Sequence, residues 1–170
     1  MSKLKYTLPR KVLRTIYLSL IYPHMSYCST IWSGTCNTRL KPLRTLQNRA
    51  IRYITLSPPR TSTTPMFASL NLLKLDDMIT SKIATFTFRC LNGLLPFRFN
   101  SFYKQNTSVH NYSTRRATDL HSSFYRSAKC QLSLKYRSTH IWNELPEYLK
   151  LCTNIKIFQS NINKYLKRCH

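Results

Sequence analysis

Basic side chains recur along residues 39–54, RLKPLRTLQNRAIRYI, at positions that suit contacts with phosphate groups. At roughly 100° per residue, a helix here would separate its polar residues from its apolar ones. The polar side consists of Lys41, Arg44, Asn48, Arg49 and Arg52. The apolar side consists of Leu40, Leu43, Leu46, Ala50, Ile51, Tyr53 and Ile54. Such a basic stripe can be a solvated face or an anion-binding face, and the absence of acidic residues for a long way on either side favours anion binding.

The ends of this central helix carry signals of their own. Thr38 can cap its start, and Pro42 falls in the first turn, where a missing N–H costs little. Ser57, Pro58 and Pro59 prevent its continuation. The pattern therefore predicts a helix over residues 39–54 whose apolar face meets a core and whose cations face outward.

Carboxylates, the usual ligands of magnesium, are scarce in this chain. The acidic residues are Asp76, Asp77, Asp119, Glu144 and Glu147. Asp76 and Asp77 are adjacent and could chelate magnesium, but they also lie at the predicted start of a helix, where the dipole favours negative charge. We favour this structural interpretation. The five acids together are too few and too badly spaced for a two-metal polymerase or nuclease site, so no catalytic residue is predicted.

Cysteine and glycine usage excludes two other kinds of site. The six cysteines form no CxxC pair, and we interpret most of them as thiols in a reducing compartment. His24 with Cys28 and Cys36, or Cys169 with His170, could supply half a zinc site, but a second pair of ligands is missing. We therefore predict no metal site. With two glycines in total, a glycine-rich phosphate loop for a small nucleotide substrate or cofactor is not expected either.

The net charge indicates a polyanionic partner. Against 27 Lys and Arg stand five acids, which gives a formal charge of +22. Self-repulsion at this charge disfavours a compact state unless a polyanion neutralises it, so a nucleic acid or an anionic membrane is expected. The apolar faces are better explained by packing on each other than by membrane insertion. Arg14 interrupts the N-terminal apolar stretch, Pro23 follows it, and no small-residue cleavage pattern is clear, so we expect no signal peptide and a nuclear or cytoplasmic protein.

The apolar pattern predicts a mainly α fold. Two helices, over residues 9–21 and from Pro23 to Gly34, should pack with the central helix as antiparallel neighbours. A short helix is expected from Thr64, and a longer one opens at Asp76 and stops at Gly93. The buried stripe of the first helix is predicted to be Val12, Leu13, Ile16, Tyr17 and Leu20. The organisation along the chain is helical over 1–57, a helical connector over 58–99, basic and flexible over 100–136, and helical over 137–170.

The last two segments add further candidate cations. The stretch NYSTRRATDL places Arg115 and Arg116 near an aromatic residue, which suits phosphate contacts and base stacking, although a flexible basic loop has the same composition. A short strand pair is expected near Gln131 to Tyr136. A final amphipathic helix opens at Asn154, and its basic side carries more candidate nucleic-acid contacts, Lys164, Lys167 and Arg168.

The order of the sequence motifs resembles a known family. The run LRTIYLSLIYPHMSYCSTIW precedes LKPLRTLQNRAIRYI, LLKLDDM and FRCLNGLLP, and NYSTR, IWNELPEYLK and FQSNINKYL follow. In this order they resemble the segment downstream of the catalytic palm in non-LTR (LINE-type) retrotransposon reverse transcriptases, especially the Jockey-like group. The resemblance covers nearly the whole chain from about Leu8. It implies that residues 1–57 are thumb-like helices, which in the family hold the template and primer duplex.

The departures from the family are as informative as the match. The endonuclease, fingers and palm of the family are absent, including the aspartates that hold magnesium, so no catalytic role carries over to any residue here. We therefore expect a truncated reverse transcriptase fragment that is inactive alone, needs no cofactor of its own and binds RNA, DNA or a hybrid duplex through backbone phosphates. The alternative is a transposon remnant with no selected activity.

Overall fold

The chain folds mainly into α-helices, as the sequence predicts. The computed structural model describes residues 6–109 and 117–168. These residues form two compact units, one comprising the described residues up to Ile79 and from Tyr165 onward, the other Thr80–Lys164. The part of the chain that the structure describes contains no β-strand, only an isolated antiparallel bridge between Gln105 and Leu120.

The N-terminal helix is longer than predicted. It runs through α1 (Arg10–Ile16), a π-helical turn (Tyr17–Ile21) and α2 (Tyr22–Ser26), so Pro23 does not break it. Because Pro23 has no N–H to donate to the carbonyl four residues earlier, the helix widens just before it, and the Tyr22 N–H bonds to the Tyr17 carbonyl. The prediction of two helices separated at Pro23 is therefore wrong.

Only part of the predicted stripe of this helix is buried. Leu13 and Tyr17 lie in the core, whereas Val12 and Leu20 are exposed. The π-helical turn adds a residue to one turn of the helix, so side chains beyond Tyr17 are rotated away from the positions that a regular period assigns. Cys28, in the left-handed conformation, then separates α2 from the short α3 (Ser29–Trp32).

The central helix α4 (Asn37–Thr55) extends slightly beyond its predicted range. Its N-cap is Cys36 rather than Thr38, and Pro42 lies inside the helix, beyond the first turn. A proline there leaves the Thr38 carbonyl without its helical donor, so α4 lacks one of its internal hydrogen bonds. The helix ends where Leu56 turns left-handed, just before Pro58 and Pro59, as predicted.

The next two helices begin about one residue from their predicted positions. Helix α5 (Thr64–Leu70) follows Thr63, and α6 (Leu75–Leu91) begins one residue before Asp76. Gly93, at a φ of 65°, ends α6 as predicted, with the Leu94 N–H bonded to the Arg89 carbonyl. One hydrophobic core cluster of the first unit consists of Leu13, Tyr17, Ala50, Ile51, Ile54, Met66, Phe67, Leu70 and Leu72.

The second unit contains helices where the sequence predicted strands. Residues near Gln131 to Tyr136 belong to α7 (Ala128–Gln131) and α8 (Leu134–Glu144), so the expected strand pair is wrong. Ser133 explains the helix, because its hydroxyl accepts the Tyr136 N–H and caps α8. The short α9 (Glu147–Lys150) follows.

The last helix matches its prediction. Helix α10 (Ile155–Arg168) begins after Asn154, whose side-chain oxygen accepts the Lys156 N–H at 2.8 Å. Phe158 and Ile162 are fully buried, and the Phe158 ring stacks on Phe88 with ring centres 4.6 Å apart. None of the helices among the described residues combines the length and apolarity needed to span a bilayer.

Candidate nucleic-acid interface

The outward face of α4 carries three cations that water can reach. Lys41 and Arg49 are exposed, and Arg52 is partly exposed. At about 100° per residue, Lys41 and Arg52 point in nearly the same direction, and Arg49 lies beside them. The helix contains no acidic residue along its whole length. This face therefore carries positive charge that no acidic residue of α4 offsets, and the three side chains can reach a strand of phosphates laid along the helix.

Arg44, the fourth predicted contact, is engaged inside the chain. Its guanidinium donates two hydrogen bonds of 2.8 Å to the carboxylate of Asp76 and a third, of 3.1 Å, to the side-chain oxygen of Asn37. At about 100° per residue, Arg44 lies only about 20° from the buried Ile51, at the edge of the packed face. The Asp76 carboxylate raises the pKa of Arg44 above its usual value. Asp76 thus neutralises one charge of the basic stripe in the folded chain, although no acidic residue lies near Arg44 in the sequence.

Arg52 is fixed in place by the segment that follows the helix. Its Nε donates a 3.0 Å hydrogen bond to the carbonyl of Thr61. Because a guanidinium has five N–H donors, the remaining donors of Arg52 can still meet a phosphate. The bond also ties the connector after Pro59 back to α4, which orients the side chain before any ligand arrives.

A buried polar side chain, which the sequence pattern missed, sets the rotation of α4. Gln47 donates hydrogen bonds of 3.0 Å to the Tyr17 hydroxyl and to the Leu73 carbonyl, and accepts the Leu75 N–H at 2.8 Å. Burial raises the pKa of the Tyr17 phenol, against the opposing effect of the Gln47 bond. Leu46, predicted to be in the core, is instead 57% exposed. The one available signal was that Gln47 lies between Leu40, Ile51 and Ile54 on a helical wheel.

The cations of α10 are exposed. Lys167 and Arg168 belong to the first unit, whereas Lys164 belongs to the second. Lys167 already donates a 2.7 Å hydrogen bond to the side chain of Asn71. Arg115 and Arg116 lie outside the described residues.

The candidate metal ligands do not converge. Asp76 and Asp77 occupy the first turn of α6, where the helix dipole favours their charge, in agreement with the structural interpretation. Arg44 occupies the Asp76 carboxylate. Within residues 6–109 and 117–168, no three His, Cys, Asp or Glu side chains lie close enough together to hold a metal ion.

No protein-family model, curated protein or solved structure matches this chain. The features of this chain that bear on function are the geometry of α4, the net charge and the order of the sequence motifs.

Proposed function

We propose that this chain is a nucleic-acid-binding fragment of a non-LTR retrotransposon reverse transcriptase and that α4 lies along a phosphate backbone. The observation that supports the proposal most strongly is the outward face of α4, where Lys41, Arg49 and Arg52 are accessible on a helix without an acidic residue. The formal charge of +22 supports the same class of ligand. The motif order supports the family.

The contacts proposed are phosphate contacts, so recognition depends weakly on base sequence. Lys41 supplies a single point charge, whereas Arg49 and Arg52 offer planar forks that can donate two parallel hydrogen bonds to one phosphate. These side chains fix the position of a duplex or strand but carry no sequence information. Binding strength therefore depends on the number of phosphates neutralised.

The proposed fragment holds nucleic acid without extending it. A two-metal polymerase site needs clustered carboxylates, and the Asp76 carboxylate is engaged by Arg44. We therefore expect no primer extension by the purified chain on a primed RNA template with magnesium or manganese. Extension that disappears in Asp76→Asn or Asp77→Asn would contradict this part of the proposal.

A matched pair of variants tests the binding face. The test variant replaces Lys41, Arg49 and Arg52 by Gln, and the control replaces the exposed Lys82, Lys129 and Lys156 by Gln, so both lose the same charge. Fluorescence anisotropy with a labelled RNA–DNA hybrid should show a much larger loss of affinity in the test variant. Equal losses would indicate nonspecific attraction to a basic chain, as expected of a remnant with no selected activity.

A further inference from the structure

A second surface of α4 is apolar and uncovered. It forms one wall of a groove of about 420 Å³, and the other wall is the helix that contains Leu20, His24 and Met25. Leu20 is 61% exposed and Leu46 is 57% exposed. Both side chains line the groove. The groove therefore exposes apolar surface to water, and burial of this surface against a partner would be favourable.

The spacing along this wall is that of a helix-packing seam. Leu43, Leu46, Ala50 and Tyr53 are separated by alternating steps of three and four residues, and all four line the groove. Arg39 continues the same series one turn earlier. Steps of three and four produce the stripe that packs against another helix in bundles and coiled coils. From Leu43 to Tyr53 the stripe is about 15 Å long, three turns of a partner helix.

The shape of the surface and the composition of the chain select the kind of occupant. A peptide that binds by adding a strand would need a sheet edge, and the described residues contain no strand. A bilayer would need a projecting apolar face, whereas this surface is concave between two helices. A second copy of the chain would bring another +22 charges, so self-association is opposed by repulsion.

The charges around the groove are basic. Arg49 lies at the rim of the groove, between Leu46 and Tyr53 along the helix. Arg39 lies at one end of the seam, about 15 Å from Arg49 along the helix axis. No acidic residue lines the groove. A complementary partner therefore carries carboxylates beside an apolar stripe and at one end of it. We propose that this groove docks an acidic amphipathic helix of another protein, with aliphatic anchors at steps of three and four residues.

Designed peptides test the proposal directly. The probe is a helical peptide of about 21 residues with Leu at the a and d positions of three heptads and Glu at most others. One control peptide replaces every Leu by Gln and keeps the charge, and another replaces every Glu by Lys. We expect binding by the Leu–Glu peptide, at least about tenfold weaker binding by the Gln control, and none by the Lys control.

Protein variants locate the site. Leu46→Gln and Leu20→Gln should each weaken Leu–Glu peptide binding by about tenfold, because each removes an apolar contact that the peptide buries. Leu151→Gln is the matched control, since Leu151 is 78% exposed and lies in the other unit. Exposure of Leu20 and Leu46 in the free chain means that both variants should fold, which circular dichroism checks.

Four outcomes would overturn the proposal. One is equal binding of the Gln-substituted peptide, which would show attraction by charge alone. Another is unchanged binding in both Leu46→Gln and Leu20→Gln. A dimer seen by light scattering and lost in Leu46→Gln would assign the groove to a second copy. Adsorption to phosphatidylserine vesicles that is lost in the same variant would assign it to a membrane surface.

Discussion

Arg44 and Asp76 form a two-bond ion pair that joins the middle of α4 to the first turn of α6, 32 positions away in sequence. The geometry is the planar fork-to-carboxylate arrangement that makes Arg pairs directional. The pair engages Arg44, which the sequence predicts to contact phosphate, and Asp76, which is a candidate magnesium ligand. Arg44 therefore serves the fold, and the proposed anion-binding face of α4 is narrower than the sequence suggests.

Replacing Arg44 by Gln should lower the free energy of unfolding by about 0.5–1 kcal/mol. The value is small because the Arg44 and Asp76 side chains remain 32% and 55% exposed, so water screens the attraction. Urea unfolding of Arg44→Gln, Asp76→Asn and the double variant gives the coupling free energy. The salt dependence of nucleic-acid binding should stay unchanged in Arg44→Gln. If the slope of log affinity against log salt falls in Arg44→Gln as much as in a Lys41→Gln variant, Arg44 contacts phosphate and this prediction is wrong.

Replacing Gln47 should destabilise the chain more than replacing Leu46, although hydrophobicity alone predicts the opposite. Gln47→Leu leaves the Leu75 N–H, the Leu73 carbonyl and the Tyr17 hydroxyl without that partner, and should cost about 2 kcal/mol or more of stability. Leu46→Gln, at an exposed position, should change stability by no more than about 0.5 kcal/mol. Chemical denaturation of the two variants makes the comparison. A larger loss in Leu46→Gln would show that Leu46 is buried in solution.

The sequence could predict this helix but not its rotation. The period of apolar residues places α4 between Pro-rich and Gly-containing segments, and its buried Leu40, Ile51 and Ile54 follow from that period. Burial of Gln47 depends on the Tyr17 hydroxyl and on backbone groups of Leu73 and Leu75, which come together only in the fold. Position along a helical wheel cannot reveal such partners.

Proline and serine account for the other differences. Pro23 and Pro42 are read from sequence as helix boundaries, yet a π-helical turn accommodates the first, and the second lies inside α4 near its start. The alternating residues near Gln131 resemble a strand, but Ser133 caps a helix there. At Pro23 and at Ser133, a local hydrogen bond rather than the hydrophobic pattern decided the structure.

The second unit should depend strongly on Phe158. Its ring is fully buried, stacks on Phe88 and lies 5.9 Å between ring centres from Trp142. Phe158→Ala should therefore lower the free energy of unfolding by about 3–5 kcal/mol through lost burial and the cavity left behind. Ile157→Ala is the matched control, because the neighbouring Ile157 is 54% exposed. Similar stability losses in the two variants would contradict the packing described for α10.

Cys36 should ionise at a lower pH in the folded chain than in the unfolded one. The Arg39 backbone N–H is the main cause that lowers the pKa of the Cys36 thiol below its usual value. The thiolate then persists to lower pH, so the midpoint of iodoacetamide labelling against pH should lie below that measured in urea. Site-resolved mass spectrometry follows Cys36, and Cys36→Ser confirms the assignment. Equal midpoints in the two states would refute the prediction.

Salt titration is the most direct test of the proposed phosphate contacts. Each phosphate neutralised releases condensed counterions, so log affinity for a duplex falls against log salt with a slope of about 0.9 per contact. Replacing Lys41, Arg49 and Arg52 together by Gln should reduce that slope by up to about 2.7, while the Lys82, Lys129 and Lys156 control reduces it little. Circular dichroism must show the same helix content in all three proteins. Equal slopes for the wild type and the α4 variant, with unchanged spectra, would show that this face of α4 is only solvated.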